Sequence, residues 1–297
     1  MIYTAMPRAD DRYYRPVNDD LIRYNQTFAA HFGENDQLLS ITKRTMPFPT
    51  TPSTYDDIWV RDVAPIITTK MVKFKYAPAY LKKSDSRALN TQFTKWLTSN
   101  HFNYQTSSLV LDGGNVQWNH GDAVVVTNRV FADNRKWSHK AVINELKTKL
   151  NVKKVVVIPA EPGDTLAHSD GMIKFLSPKL AFISDFEGDT QFRKKVAGII
   201  HRELPDVKLV TIKSAYTEKG QFDPNIASAR GLYINMLETD KTIYVPQFDL
   251  KADHSAIKFI QSYTDKTVVG IPINKVSTLG GALHCTTWEV PAAFQPK

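Results

Sequence analysis

Residues 167–186 read AHSDGMIKFLSPKLAFISDF. Three polar residues, His168, Ser169 and Asp170, open an apolar run of strand composition. A Ser-Pro-Lys turn follows, and a second apolar run completes the unit. The same order recurs along the chain. IWVRDVAPI (58–66), LDGGNVQW (111–118), GLYINMLE (231–238) and ALHCTTWEV (282–290) each set polar residues into a strand-like run, and strands such as DAVVVTNRVF and KTIYVPQF come next. One marker from each unit, Asp62, Asp112, Asp170, Asn235 and Cys285, gives separations of 50, 58, 65 and 50 residues. Such a period repeated five times is the mark of radial repetition, one helix-and-strands unit per blade.

Amphipathic helices are expected near Asp19–His31, Arg87–Asn100, Trp137–Leu150, Thr190–Glu203 and His254–Tyr263. A short strand is expected after each, at Gln37–Ile41, Leu109–Leu111, Lys154–Ile158, Val207–Ile212 and Thr267–Ile271. The fifth unit ends at Lys297 without a closing strand, which the N-terminal Ile2–Ala5 segment could supply. The expected fold is α/β, a five-bladed α/β propeller forming one domain over residues 1–297. The competing reading is an ordinary parallel sheet whose strand ends happen to be polar.

Composition narrows the function. The chain has one cysteine, so neither an intramolecular disulfide nor a multi-cysteine metal site is available. The segment MIYTAMPRADDRYYRP lacks the apolar core of a secretory leader, and no apolar run approaches the ~18 residues of a membrane span. A cytoplasmic protein without a membrane partner is expected. The net charge of +8 comes from scattered pairs such as Lys82-Lys83 and Lys153-Lys154, not from a basic block. That pattern suits a solvated surface better than nucleic-acid binding. Association into a homo-oligomer is compatible with the sequence.

Read as strands, residues two apart share a face, so His168 and Asp170 point together, while His284 and Cys285 point apart. His168, not His284, is then the expected partner of Cys285. Converging markers would assemble one thiol, one imidazole and the carboxylates of Asp62, Asp112 and Asp170. A Cys-His protease needs one orienting polar group rather than an anionic pocket. A thiol is a poor ligand for Mg²⁺ or Ca²⁺, and zinc sites more often show closer His/Cys spacing, so no metal and no cofactor is expected. An anionic pocket with a soft nucleophile suits a planar cation: a guanidinium paired with carboxylates and attacked at its central carbon.

WVRD, LDGG, HSDG, YIN…IYVPQF and GGALHCTT stand in the order found in the agmatine deiminase and bacterial peptidylarginine deiminase family, which this sequence resembles from Trp59 to Thr287. The resemblance implies the pentein fold, a five-bladed α/β propeller. It implies Cys285 as nucleophile, His168 as general acid/base, and Asp62 and Asp170 as the paired guanidinium-binding carboxylates. Asp112 stands where the family usually has Glu, supporting the histidine. Asn235, Trp59, Arg61 and Gly114 are expected to line the substrate site. The Trp-Glu-Pro-His segment of agmatine-type members is absent from MPRADDRYYRP, and their Thr-Gln-Gln after the cysteine reads TTWEVP here.

The expected reaction is hydrolysis of a guanidino group to a ureido group and ammonia through a covalent thiouronium. Agmatine, giving N-carbamoylputrescine, is the first substrate reading, and peptidyl arginine is the alternative. An amidinotransferase and a non-catalytic guanidinium-binding protein are the remaining rivals.

Overall fold

The computed structural model describes residues 1–32 and 36–296; Lys297, the last residue of the expected domain, lies outside them. The chain divides into two compact units. The first comprises Met1–Arg61, Ala88–Asn103 and Ala215–Lys297, the second Asp62–Arg87 and Tyr104–Ser214. No helix among the described residues is long and apolar enough to cross a membrane.

In the first unit, Ile2–Ala5 pairs antiparallel with Trp288–Glu289 and parallel with Leu38–Ile41, which runs parallel to Thr50–Thr51. The N-terminal strand thus closes the sheet that the C-terminal repeat leaves incomplete, as its sequence position suggested. The unit's other sheet joins Leu237–Glu238 antiparallel to Thr242–Gln247, and that strand parallel to Thr267–Pro272. The second unit holds three sheets of the same plan. Their central strands are Met71–Lys75, Ala123–Thr127 and Leu180–Ser184, each with one antiparallel and one parallel neighbour. All five sheets among the described residues therefore repeat one pattern.

Local chemistry explains the helices. Thr190–Glu203 starts where the Asp189 carboxylate accepts the Phe192 N–H at 2.9 Å, and buries Phe192, Val196 and Ile200 at four-residue spacing. His139–Leu150 is capped by Ser138, buries Val142, Leu146 and Leu150, and stops at Asn151 in the left-handed region at φ 52°. Lys83–Ser99 begins a turn before the expected Arg87, and Asp85 in its first turn suits the helix dipole. The strand expected at Leu109–Leu111 starts earlier, at Gln105.

The larger difference concerns the marked runs. They are not strands through their polar residues. Val60–Val63 is one helical turn, and Gly113–Asn115 and Ser169–Gly171 are 3-10 turns. Leu283–Thr286 is likewise a turn, with the Thr286 N–H on the Ala282 carbonyl at 3.2 Å. The strands proper begin later, at Ile66, Gln117, Ile173, Leu237 and Trp288.

The first unit's core centres on Trp288, which is 1% exposed and packs against Tyr3 at 5.5 Å and Phe102 at 5.4 Å between ring centroids. Trp288→Ala should cost about 3–5 kcal/mol of stability. Urea unfolding would measure it; a loss below about 1 kcal/mol would show that this contact does not hold the two chain ends together.

Candidate functional site

In the second unit, three segments deliver titratable side chains to one point. A Cβ on Gly114 would lie 2.8 Å from Asp62 Oδ1, 2.8 Å from His168 Nδ1 and 3.1 Å from Asp170 Oδ2. Only a residue without a side chain fits among them. The Gly114 N–H donates to Asp62 Oδ1 at 3.0 Å. Asp112, which caps the same 3-10 turn, meets His168 Nε2 through Oδ2 at 3.1 Å. The shorter aspartate therefore reaches the imidazole. Asp62, Asp112, His168 and Asp170 are each at most 5% exposed.

His168 and Asp170 do converge, but not because they alternate on a strand. His168 is extended at the entrance of a 3-10 turn and Asp170 lies within it.

The electrostatics follow from burying four ionisable groups together. Burial alone would lower the His168 pKa, but Asp62, the Asp112 hydrogen bond and Asp170 outweigh it and raise it to about 10. Burial pushes Asp62 up to about 7; His168 opposes this, and the charges of Asp112 and Asp170 add to it. The Asp112 carboxylate oxygen at Nε2 accepts the hydrogen carried there. Nδ1 then faces Gly114, 3.7 Å from Asp62 Oδ1, with no hydrogen-bond partner among the described residues. Asp112 Oδ1 is likewise unsatisfied. An imidazole nitrogen free to exchange a proton, inside excess negative charge, is equipped to receive a cation.

The first unit carries the cysteine. Asn235 clamps its turn: Oδ1 accepts the N–H groups of His284 at 3.1 Å and Cys285 at 3.4 Å, and Nδ2 donates to Cys285 Sγ at 3.3 Å. The amide thus offers a donor to the sulfur. A Cβ on Gly281 would meet Trp59 Cζ3 at 2.5 Å and Cys285 Cβ at 2.8 Å, so the half-buried indole packs beside the cysteine. Arg61, expected against substrate, is engaged differently. Its backbone N–H donates to the Cys285 carbonyl, its Nε to the His284 carbonyl at 3.2 Å, and its guanidinium pairs with Glu289. His284 is buried.

Two residues escaped sequence reasoning. Lys73 is 5% exposed and donates to the Phe74 carbonyl at 2.7 Å; burial lowers its pKa to about 7, with Asp112 opposing. A lysine in the middle of the apolar strand MVKFK was the available signal. Asp57 accepts the Tyr14 hydroxyl and the Ile58 N–H, and burial raises it to about 6.

A family profile described as Porphyromonas-type peptidyl-arginine deiminase matches residues 21–291. A protein of Enterococcus faecalis provisionally named an agmatine deiminase is 27% identical over 63% of this chain and 59% of its own length. One from Yersinia pseudotuberculosis, named in the same way, is 24% identical over 86% and 81%. The chain matches about three fifths of the length of the first of these relatives. Among solved structures, an agmatine deiminase of E. faecalis superposes with TM-score 0.79 at 19% identity, covering 98% of this chain and 92% of that one. A C. jejuni agmatine deiminase gives 0.77 at 16%, covering 97% and 92%. The mixed α/β fold is shared with both.

Because the folded pKa of His168 lies above the ordinary 6.5, its protonated form contributes full stability below about pH 6.5. That stability is lost as the pH rises through about 10. Asp112→Asn should therefore move the His168 titration downward, as followed by NMR of the labelled ring. An unmoved titration would mean that Asp112 does not sustain the charged imidazole.

Proposed function

The chain belongs to the Porphyromonas-type peptidyl-arginine deiminase family, and on that premise we propose that it is a guanidine deiminase, a hydrolase of amidine C–N bonds. The carrying observation is the buried group around Gly114: two carboxylates and an unpartnered imidazole nitrogen around one point. Such a group is costly to bury without a cationic ligand, and a guanidinium is the cation whose N–H fork fits carboxylates on two sides. Asp62 and Asp170 take that role, and the guanidinium drives Asp62 to ionise.

The reaction runs in two halves. The Cys285 thiolate adds to the guanidinium carbon; the C–N bond to the departing nitrogen breaks, and His168 gives that nitrogen its proton, releasing ammonia. An S-linked thiouronium remains on Cys285. His168, now neutral at Nδ1, takes a proton from water as its oxygen adds to the same carbon. The C–S bond breaks and the added hydroxyl gives up its remaining proton, which leaves with the ammonia as ammonium or passes to solvent, so that the neutral ureido product and a thiolate remain. Asp112 holds the imidazole tautomer throughout, Asn235 steadies the sulfur, and Trp59 walls the approach. No metal enters: metal on His168 would occupy the lone pair that moves the proton.

This reading needs both groups to act on one substrate. Its support is covalent: Arg61 is bound to the Cys285 turn, and Asp62, the next residue, belongs to the carboxylate group. We further propose that the five like sheets close into a five-bladed ring, the pentein propeller, forming one catalytic domain. The reaction is placed in the cytoplasm, where a lone catalytic thiol stays reduced. A solved C. jejuni agmatine deiminase, with serine for one cysteine and substrate bound, supports a guanidino substrate and a working cysteine. Agmatine and arginine side chains both present the required group.

Cys285→Ala should abolish ureido formation in a colorimetric assay while the melting temperature holds, and turnover near the wild-type rate would overturn covalent catalysis. Asp62→Asn or Asp170→Asn should each cost on the order of 2–5 kcal/mol in kcat/KM. Activity should survive EDTA and be lost to a thiol alkylator, with substrate protecting. Loss in EDTA that Zn²⁺ or Mn²⁺ restores would contradict the roles given to the carboxylates.

A further inference from the structure

Lys73 plays no part in the chemistry above, yet it lies in the same unit as the carboxylate group. It occupies the middle of the strand Met71–Lys75. Alternate residues of a strand leave by opposite faces, so Lys73 and Lys75 share one face and Val72 and Phe74 the other. Val72 and Phe74 join Leu109 and Leu111 in a buried apolar cluster. On the parallel neighbour, Val110 pairs with Lys75, and the Leu111 N–H donates to the Lys75 carbonyl at 3.1 Å. Val110 and then Asp112, whose backbone is still extended, therefore emerge on the lysine face, opposite that cluster. Lys73 Nζ turns toward this end of its strand and donates to the Phe74 carbonyl at 2.7 Å.

An ammonium buried to 5% exposure is unfavourable unless a negative charge faces it. The charge that opposes the effect of burial at Lys73 is that of Asp112. Asp112 spends Oδ2 on His168 Nε2 at 3.1 Å, and its Oδ1 has no hydrogen-bond partner among the described residues. Two cations, the imidazolium and the ammonium, thus act on one buried carboxylate. The reaction separates their roles. Once His168 has given its proton to the departing nitrogen, the imidazole is neutral and Lys73 remains to balance Asp112. An unbalanced buried negative charge raises the proton affinity of the groups that carry it. Without the ammonium, the Asp112–His168 pair would take a proton back, and the Nδ1 lone pair needed for water would be lost.

We propose that Lys73 is a positioning residue for the hydrolytic half of the reaction: its ammonium balances Asp112 while His168 is neutral, so that Nδ1 stays open to take the proton of water. Lys73 acts through Asp112, and its own proton is not transferred. The inference rests on the deiminase reading and deepens it, assigning one residue to the second half-reaction and not to the first.

The test measures kcat, kcat/KM and the fraction of Cys285 carrying a substrate-derived adduct after acid quenching, with agmatine, arginine and a blocked arginine peptide. In Lys73→Met, kcat should fall at least about tenfold, while kcat/KM, which reports the steps up to ammonia release, should change less than about threefold. The adduct should accumulate. Lys73→Arg, which keeps the charge, should restore part of kcat. Lys73→Gln, which keeps a donor without the charge, should behave as Lys73→Met does and carries the test if the methionine variant misfolds, as melting temperatures will tell. In an Asp112→Asn background, where no carboxylate needs balancing, Lys73→Met should add less than about twofold. Wild-type kcat in a folded Lys73→Met or Lys73→Gln overturns this proposal. So does an equal fall in kcat and kcat/KM without accumulated adduct, the mark of a lysine that only supports the fold. Both results leave the deiminase reading intact. Wild-type turnover of none of the three guanidines overturns the deiminase reading, and this proposal with it.

Discussion

Four ionisable side chains share a space from which water is nearly excluded, and a missing Cβ at Gly114 makes that possible. Like charges so placed repel, and burial removes the hydration that would screen them. The group relieves this in two ways. His168 keeps a proton well above the imidazole's ordinary range, and Asp62 holds one above the usual carboxylate range. Both responses leave the same demand, a cation with hydrogen-bond donors. Ionisable groups buried together with shifted proton affinities mark a candidate ligand site.

The scaffold supplies this arrangement by repetition. Each sheet places a strand between an antiparallel and a parallel neighbour, and polar residues occupy tight turns just before the antiparallel strand. Turns rather than strands are what bring short aspartates close. Asp112, at the start of one 3-10 turn, reaches His168, and Asp170, inside another, reaches the point beside Gly114. The cysteine is presented the same way, on a turn held by Asn235 on one side and Arg61 on the other.

The repeat itself was legible because hydrophobic periodicity survives divergence: Lys154–Ile158 and Thr190–Glu203 stand where the pattern predicts them. The chemistry-bearing residues were legible because aspartate, histidine and a lone cysteine stand out in apolar runs. Their conformation was not. Spacing of two suits a strand face, and nothing in HSDG distinguishes that from an extended His168 followed by a 3-10 turn that holds Asp170. Arg61 shows the opposite limit, since its motif placed it near substrate while its partner Glu289 lies 228 residues away. Lys73 was the least legible feature. It belongs to a segment apart from LDGG, and only the pairing of Lys75 with Val110 brings it to the face that Asp112 leaves by.

The central claim is that Cys285 carries the guanidino carbon covalently between two proton transfers by His168. Acid quenching during turnover, followed by mass spectrometry of the Cys285 peptide, addresses it directly. It should be run on the wild type and on His168→Gln, which lacks the base for the hydrolytic half. The account predicts a species heavier by the substrate less one ammonia, on Cys285 alone, that persists in the variant. Ureido product forming while the Cys285 peptide stays unmodified at every time point, in both proteins, would contradict it.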